Sequence, residues 1–158
     1  MEGARPARPG DLAACARLLE EARARASTLR GGPELLSTLP LPTHPQVIDE
    51  QWLSTHWGGT DRGLFAGTID EVVVGVAGGH IATHAARRVG TVDWCYVEAG
   101  ARGVGVGTAL AEALVEWFSS AGCVAVDAPA LPGDRGTKRL LESLGLSARL
   151  LVLRRPLP

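Results

Sequence analysis

No run of apolar residues approaches the roughly 18 needed to cross a bilayer, so no membrane span is expected. No long block of like charge occurs and the formal net charge is −1, which leaves no electrostatic footprint for nucleic acid as the main partner. Lysine is nearly missing. Lys138 is the single one, and arginine carries the rest of the positive charge, a mark of base composition rather than of a binding device. Cysteine is scarce and odd in number: Cys15, Cys95 and Cys123 are widely spaced with no CxxC pair. That excludes a disulfide framework. With no signal-peptide pattern at the start, it predicts free, mostly buried thiols in a reducing cytoplasm. Of the four histidines (His44, His56, His80, His84), His80 and His84 stand four apart. They fall where a strand turns, not on one helical face, so no metal site is expected.

What is present is enough apolar residue for a core: 46% of 158 residues, read as one domain over residues 1–158. A short strand is expected near Gly3 to Ala7. Pro9-Gly10-Asp11 signals a helix start, and Leu12, Cys15, Ala16 and Leu19 follow at helical spacing. Residues 31 to 45 are rich in Gly and Pro and read as a loop with a short helix near Glu34 to Ser37. A second helix is expected over 46–57, ended by Gly58-Gly59. Leu64 to Ile69 and Val72 to Ala82 form a hairpin about Asp70-Glu71, and Val89 to Val97 makes a third meander strand. A helix over 107–120, a short strand at Val124 and Val126, a helix over 136–144 closed by Gly145, and a last strand over Ala148 to Leu153 complete the chain. The fold class is α+β, a mixed sheet flanked by helices.

The most informative stretch is Ala101-Arg102-Gly103-Val104-Gly105-Val106-Gly107-Thr108, which lies between a β-prone run and a helical one. Glycines let backbone N–H groups approach an oxyanion, and a helix N-terminus adds its dipole and unpaired donors. Arg102 adds a charge-assisted contact. The device suits a diphosphate-bearing cofactor. A dinucleotide-binding Rossmann fold expects such a loop after the first strand with an acidic residue about 20 positions on, near where Asp127 stands. Three preceding antiparallel strands and the lack of further βα units count against that fold.

The pattern Val97, Arg102, Gly105, Gly107 resembles the central signature of the GNAT family of acetyl-CoA-dependent N-acetyltransferases. Asp134, Thr137, Leu140, Leu141, Gly145 and Leu146 occupy the frame of that family's closing helix. Arg5-Pro6-Ala7 and Gly10-Asp11-Leu12 look like its first strand and helix. The resemblance implies antiparallel strands leading into a cleft where the fourth strand splays from the fifth. It also implies acetyl-CoA as cofactor and direct attack of a primary amine, on a small molecule or a peptide, upon the thioester. The cofactor arm would pair with backbone at Val97, Glu98 and Ala99. The diphosphate would rest on Arg102, Gly103, Val104, Gly105, Val106, Gly107 and Thr108, and Asp134 would lie near the pantetheine. The resemblance also implies a homodimer, since many members of that family pair through sheet edges.

Candidate catalytic groups are Tyr96, the single tyrosine, Glu98 two positions on, and Asp127 at the end of the next strand. Each is set against a plain structural role: a strand tyrosine with a surface hydroxyl, a solvated strand-end carboxylate, and an acid whose alignment is blurred by a longer loop. Alternation puts Asp93 and Cys95 on the face opposite Tyr96, with Cys95 in the core. His80 and His84 reach toward the cleft or are surface histidines. Trp52 and Trp57 are expected to wall the acceptor pocket or pack in the core. Leu141 stands where the family keeps a thiolate-protonating tyrosine. That substitution keeps a second reading open, a catalytically weak acyl-CoA sensor or protein-interaction module.

Overall fold

A computed structural model describes residues 1–42 and 46–158. His44 and the end of the expected 31–45 loop lie outside the described residues. The elements run β1 (Glu2–Pro6), α1 (Leu12–Ser27), α2 (Gly32–Leu36), α3 (Glu50–His56), β2 (Arg62–Ile69), β3 (Val72–His84), β4 (Arg87–Val97), α4 (Val106–Ser120), β5 (Ala125–Asp127) and α5 (Arg135–Ser143). The sheet order is β1-β2-β3-β4-β5, antiparallel up to β4, with β5 parallel to β4. This is the mixed sheet flanked by helices that the pattern predicts. α3 begins at Glu50, later than expected, because Asp49 caps it by accepting from the Trp52 N–H at 2.8 Å.

The two sheet faces are built differently. One carries Leu64, Ala66, Val76 and Trp94 against Leu18 and Leu19 of α1. The other carries Gly63, Gly67, Gly75, Gly79 and Gly90, a glycine stripe onto which α4 settles. A Cβ at Gly67 would stand 2.7 Å from Val106, and one at Gly79 2.6 Å from Phe118. Without side chains there, Val106, Leu110, Leu114 and Phe118 reach the sheet and are almost wholly buried. Burying these large side chains against backbone stabilises the helix by roughly 1.5–3 kcal/mol each. It also fixes where the N-terminus of α4 points.

β5 pairs with β4 only at Val89↔Ala125, Gly90↔Val126 and Thr91↔Asp127. Residues 92–97 of β4 therefore have no strand partner on that side, and a cleft opens there. The expected last strand over Ala148 to Leu153 does not form. The chain beyond Leu146 has no regular structure, and Leu150 to Leu153 are 79–92% exposed. A strand must pair with a neighbouring edge to satisfy its backbone groups, and this segment pairs with neither outer strand, β1 or β5. Its β-prone composition is not sufficient alone.

Candidate active site

The cleft is a cavity of about 400 Å³. Its walls are β4 from Asp93 to Val97, the apolar inner faces of α1 and of the 31–41 segment, the loop after β5, and α5. Leu35, Leu36, Leu39 and Leu41 make the Gly/Pro-rich segment an apolar wall. That wall is tied down from α1. Arg23 donates to the carbonyls of Pro42 (3.2 Å) and Gln46 (3.0 Å), and Glu20 accepts from the Ile48 N–H at 2.6 Å.

At one end lies the glycine loop. Gly103 and Gly105 have φ of +83° and +99°, left-handed values that glycine adopts without strain. Nothing lies within 4 Å of a Cβ placed at Gly103, so the loop faces open space. Gly105 occupies the N-cap of α4, and no side chain caps that helix. The first-turn amides of Val106, Gly107 and Thr108 are therefore donors without an intrahelical acceptor. Val104 and Thr108 are exposed, whereas the Val106 side chain is core, so only its backbone faces the loop. Gly107 lines the cavity, and a Cβ there would touch Leu140 (3.6 Å) and Val97 (3.7 Å). Both are ordinary contacts, at the point where α4, α5 and β4 meet.

The strand-end residues are engaged with one another. The Arg102 Nε–H donates to the Val97 carbonyl at 2.8 Å, and its guanidinium lies 5.4 Å over the Tyr96 ring. This holds Arg102 at the cavity and occupies one of the two lone-pair positions of the Val97 carbonyl. The Glu98 N–H bonds back to Val74, and Ala99–Ala101 form a 3-10 turn that leads into the loop.

Tyr96 and Glu98 meet on the α1 side. The Tyr96 hydroxyl donates to Glu21 at 3.3 Å, and Arg17 bridges Glu21 (2.6 Å) and Glu98 (3.1 Å). Glu98 is thus an ion-paired carboxylate. Asp127 is not part of this cluster. It lies opposite Thr91, five residues along β4 from Tyr96, which is about 16 Å at strand rise. Asp134 lines the cavity, but its carboxylate caps α5, accepting from the Thr137 N–H (3.2 Å) and hydroxyl (2.7 Å). On α5 the cavity is lined by Gly136, Thr137 and Leu140, while Leu141 is buried; the Thr137 hydroxyl donates to Asp134, and neither leucine carries a hydroxyl.

The tryptophans take the packing alternative, and one expectation, the face of Asp93, is corrected. Trp57 is core, 4.5 Å from Trp94 and beneath Arg62, and Trp52 stacks on His56 at 4.7 Å; neither walls the main cavity. Asp93 does not share the face of Cys95. The β3–β4 register slips between Gly78 and Gly79, so Asp93 is an extra residue between Val92 and Trp94. The bulge turns its carboxylate to the α1 face, where both oxygens lie 2.9 Å from His80 Nδ1. Burial pushes the Asp93 carboxyl above its usual range, against the opposing pull of His80 and Arg62. Strict alternation missed this residue, and only the bulge reveals it. Cys95 stays on the α4 side with Sγ 3.9 Å from the Gly107 carbonyl, and burial pushes its thiol up to about 12.

A family model described as acetyltransferase (GNAT) family matches residues 32–146. No curated protein sequence matches the chain. Solved structures of similar fold include an acetyltransferase from Trypanosoma brucei (22% identity, 99% of this chain and 100% of that one, TM-score 0.67). A ribosomal-protein-alanine N-acetyltransferase from Brucella melitensis is 18% identical over 99% of this chain and 100% of that one, with TM-score 0.69. An aminoglycoside acetyltransferase from an uncultured soil metagenomic sample, in complex with sisomicin, is 14% identical over 99% and 95%, with TM-score 0.71. The glycine loop at an uncapped helix, the splayed strands beside it and the family match over more than half of the chain agree: this chain belongs to the GNAT acetyltransferase family.

Proposed function

We propose that the protein transfers an acetyl group from acetyl-CoA to a primary amine of a small molecule or peptide. The observation that carries this reading is the junction of two features. The open loop 102–107 with free amide donors stands at one end of β4, and β4 then runs unpaired over residues 92–97 along an apolar cavity. An anion at the loop is favoured by the helix dipole and by Arg102. An extended arm beside β4 finds backbone donors and acceptors that no strand satisfies. The residues therefore fit acetyl-CoA: amides 103–108 and Arg102 for the diphosphate, the β4 edge for the arm. The bound thioester would supply the activated acyl group. The chain's own part is to hold that arm straight, to keep water out with Leu35, Leu36, Leu39 and Leu140, and to orient the amine. Tyr96, beneath the Arg102 guanidinium with its hydroxyl on Glu21, flanks the arm near the loop, and Glu98 with Arg17 sets the charge at the strand end.

A second reading, an acyl-CoA sensor, is favoured by α5, where Leu140 and Leu141 carry no proton donor and the Thr137 hydroxyl is already committed to Asp134. Both readings are tested by calorimetry with acetyl-CoA, CoA and NAD, followed by thiol release with a panel of amines. Saturable binding of the two CoA species but not NAD, with thiol release, is expected. Binding without release with every amine supports the sensor, and absence of CoA binding overturns both.

A further inference from the structure

A polar row crosses the α1 face of the sheet at the far end of the unpaired stretch of β4. Arg62, His80, Thr91 and Asp127 stand directly opposite one another on β2, β3, β4 and β5. Directly opposed residues project to the same face. Arg62 stacking on Trp57 identifies that face as the α1 side. The bulge adds Asp93 to the row, with both carboxylate oxygens on His80 Nδ1. Asp93 is almost fully buried, and the His80 side chain is about one-third exposed (34%). Among the described residues His80 Nε2 has no hydrogen-bond partner. Nδ1 donating to a buried carboxylate leaves the Nε2 lone pair facing outward, the form a general base needs.

Position supplies the second argument. An arm anchored at residues 102–107 and extended along β4 from Val97 toward Val92 ends beside Asp93, at this row. The other candidate groups are already engaged: Glu98 pairs with Arg17, and Tyr96 donates to Glu21. Asp127 is exposed, two strands from His80, or about 10 Å.

Resting on the acetyl-transfer reading, we propose that His80, held by Asp93, is the catalytic base of this protein, and that Asp127 selects cationic acceptors such as diamines. The acceptor ammonium gives one proton to His80 Nε2. The freed nitrogen lone pair attacks the thioester carbonyl, the C–N bond forms as the C–S bond breaks, and the second amine proton leaves with the thiolate sulfur. The imidazolium returns its proton to solvent. The charged groups facing His80 are Arg62 from β2, Asp93 from β4, Asp127 from β5, and His84, two alternations along the same face of β3. Arg17 and Glu21 of α1 are paired with the Tyr96–Glu98 end of β4.

The test uses the full chain, acetyl-CoA, and 1,4-diaminobutane as the cationic probe with glycinamide as a singly charged comparator. His80→Gln is expected to lower kcat about 100-fold or more, to remove the acidic limb of its pH profile, and to leave calorimetric CoA affinity intact. Asp93→Asn, which removes a positioning residue, should also weaken that limb and release the Nδ1–H tautomer in imidazole nitrogen NMR. Asp127→Asn should raise KM for the diamine more than for glycinamide. A His80→Gln variant with wild-type kcat and pH profile overturns the proposal. A readout without turnover separates this failure from that of the acetyl-transfer reading: 1,4-diaminobutane should shift the His80 imidazole signals in the CoA complex. Unmoved signals sink the acceptor site. Shifted signals in a protein that releases no thiol support the site while overturning acetyl transfer.

Discussion

Alanine at position 90 should unseat α4. Gly90 faces that helix, and a Cβ there would stand 2.3, 2.4 and 2.8 Å from three ring carbons of Phe118. Non-bonded carbons rest at about 3.5–4.0 Å, so the overlap is more than about 1 Å. Phe118 has no exposed surface, and its ring already sits against the bare backbone of Gly79, where an added Cβ would stand 2.6 Å from its Cζ, so little room is left for it to swing aside. Either the ring or the helix must move. Overpacking of this kind costs about 1–3 kcal/mol, and the size of the overlap places Gly90→Ala near 3. The unfolded chain loses some entropy with alanine, which offsets less than about 1 kcal/mol. At about 2–4 °C per kcal/mol for a chain of this size, Tm should fall by roughly 5–10 °C in calorimetry or circular dichroism. Phe118→Leu makes room, so the double variant should be more stable than the sum of the singles by about 1 kcal/mol or more. Because α4 carries the glycine loop on its N-terminus, CoA affinity should fall with Tm. A Gly90→Ala protein within about 2 °C of wild type, or strict additivity with Phe118→Leu, would refute the idea that the glycine stripe seats the helix.

Gly105→Glu is expected to abolish CoA binding in calorimetry. The position has φ of +99°, and a carboxylate there would stand in the anion cradle beside Glu2; retained affinity would show that the loop is not the anchor. Acid should weaken the β1–α1 corner. Arg5 hydrogen-bonded to Asp11, helped by the Arg8 N–H, holds the Asp11 carboxyl below its ordinary value. A depressed folded pKa contributes stability above the unfolded value, near 4, and loses it as pH falls through the folded one. Wild type should therefore lose more stability than Asp11→Asn on acidification below about pH 4 in urea melts, and parallel curves would contradict the linkage.

Much of the site was legible residue by residue. Gly103, Gly105 and Arg102 announce an anion loop because the chemistry is local: left-handed backbone, a helix start, a nearby cation. The hairpins were legible too, since Asp70-Glu71 is a two-residue turn between β-prone runs, and the structure puts both residues at positive φ. The His80–Asp93 pair was not, because one extra residue in β4 reverses the face that alternation assigns. Trp57 was left between two places for a related reason: position along the chain does not say whether an aromatic closes a core or lines a pocket.

The sequence by itself determined the order of helices and strands, the glycine loop and the family, because each rests on neighbouring residues or on periodicity. Tertiary structure alone decided three other things: that β5 stops after three paired residues and opens the cleft, that Ala148 to Leu153 remains outside the sheet, and that Arg62, His80, Thr91 and Asp127 line up across four strands. Strand register and edge pairing are set by contacts between residues far apart in the chain, and no local propensity specifies them.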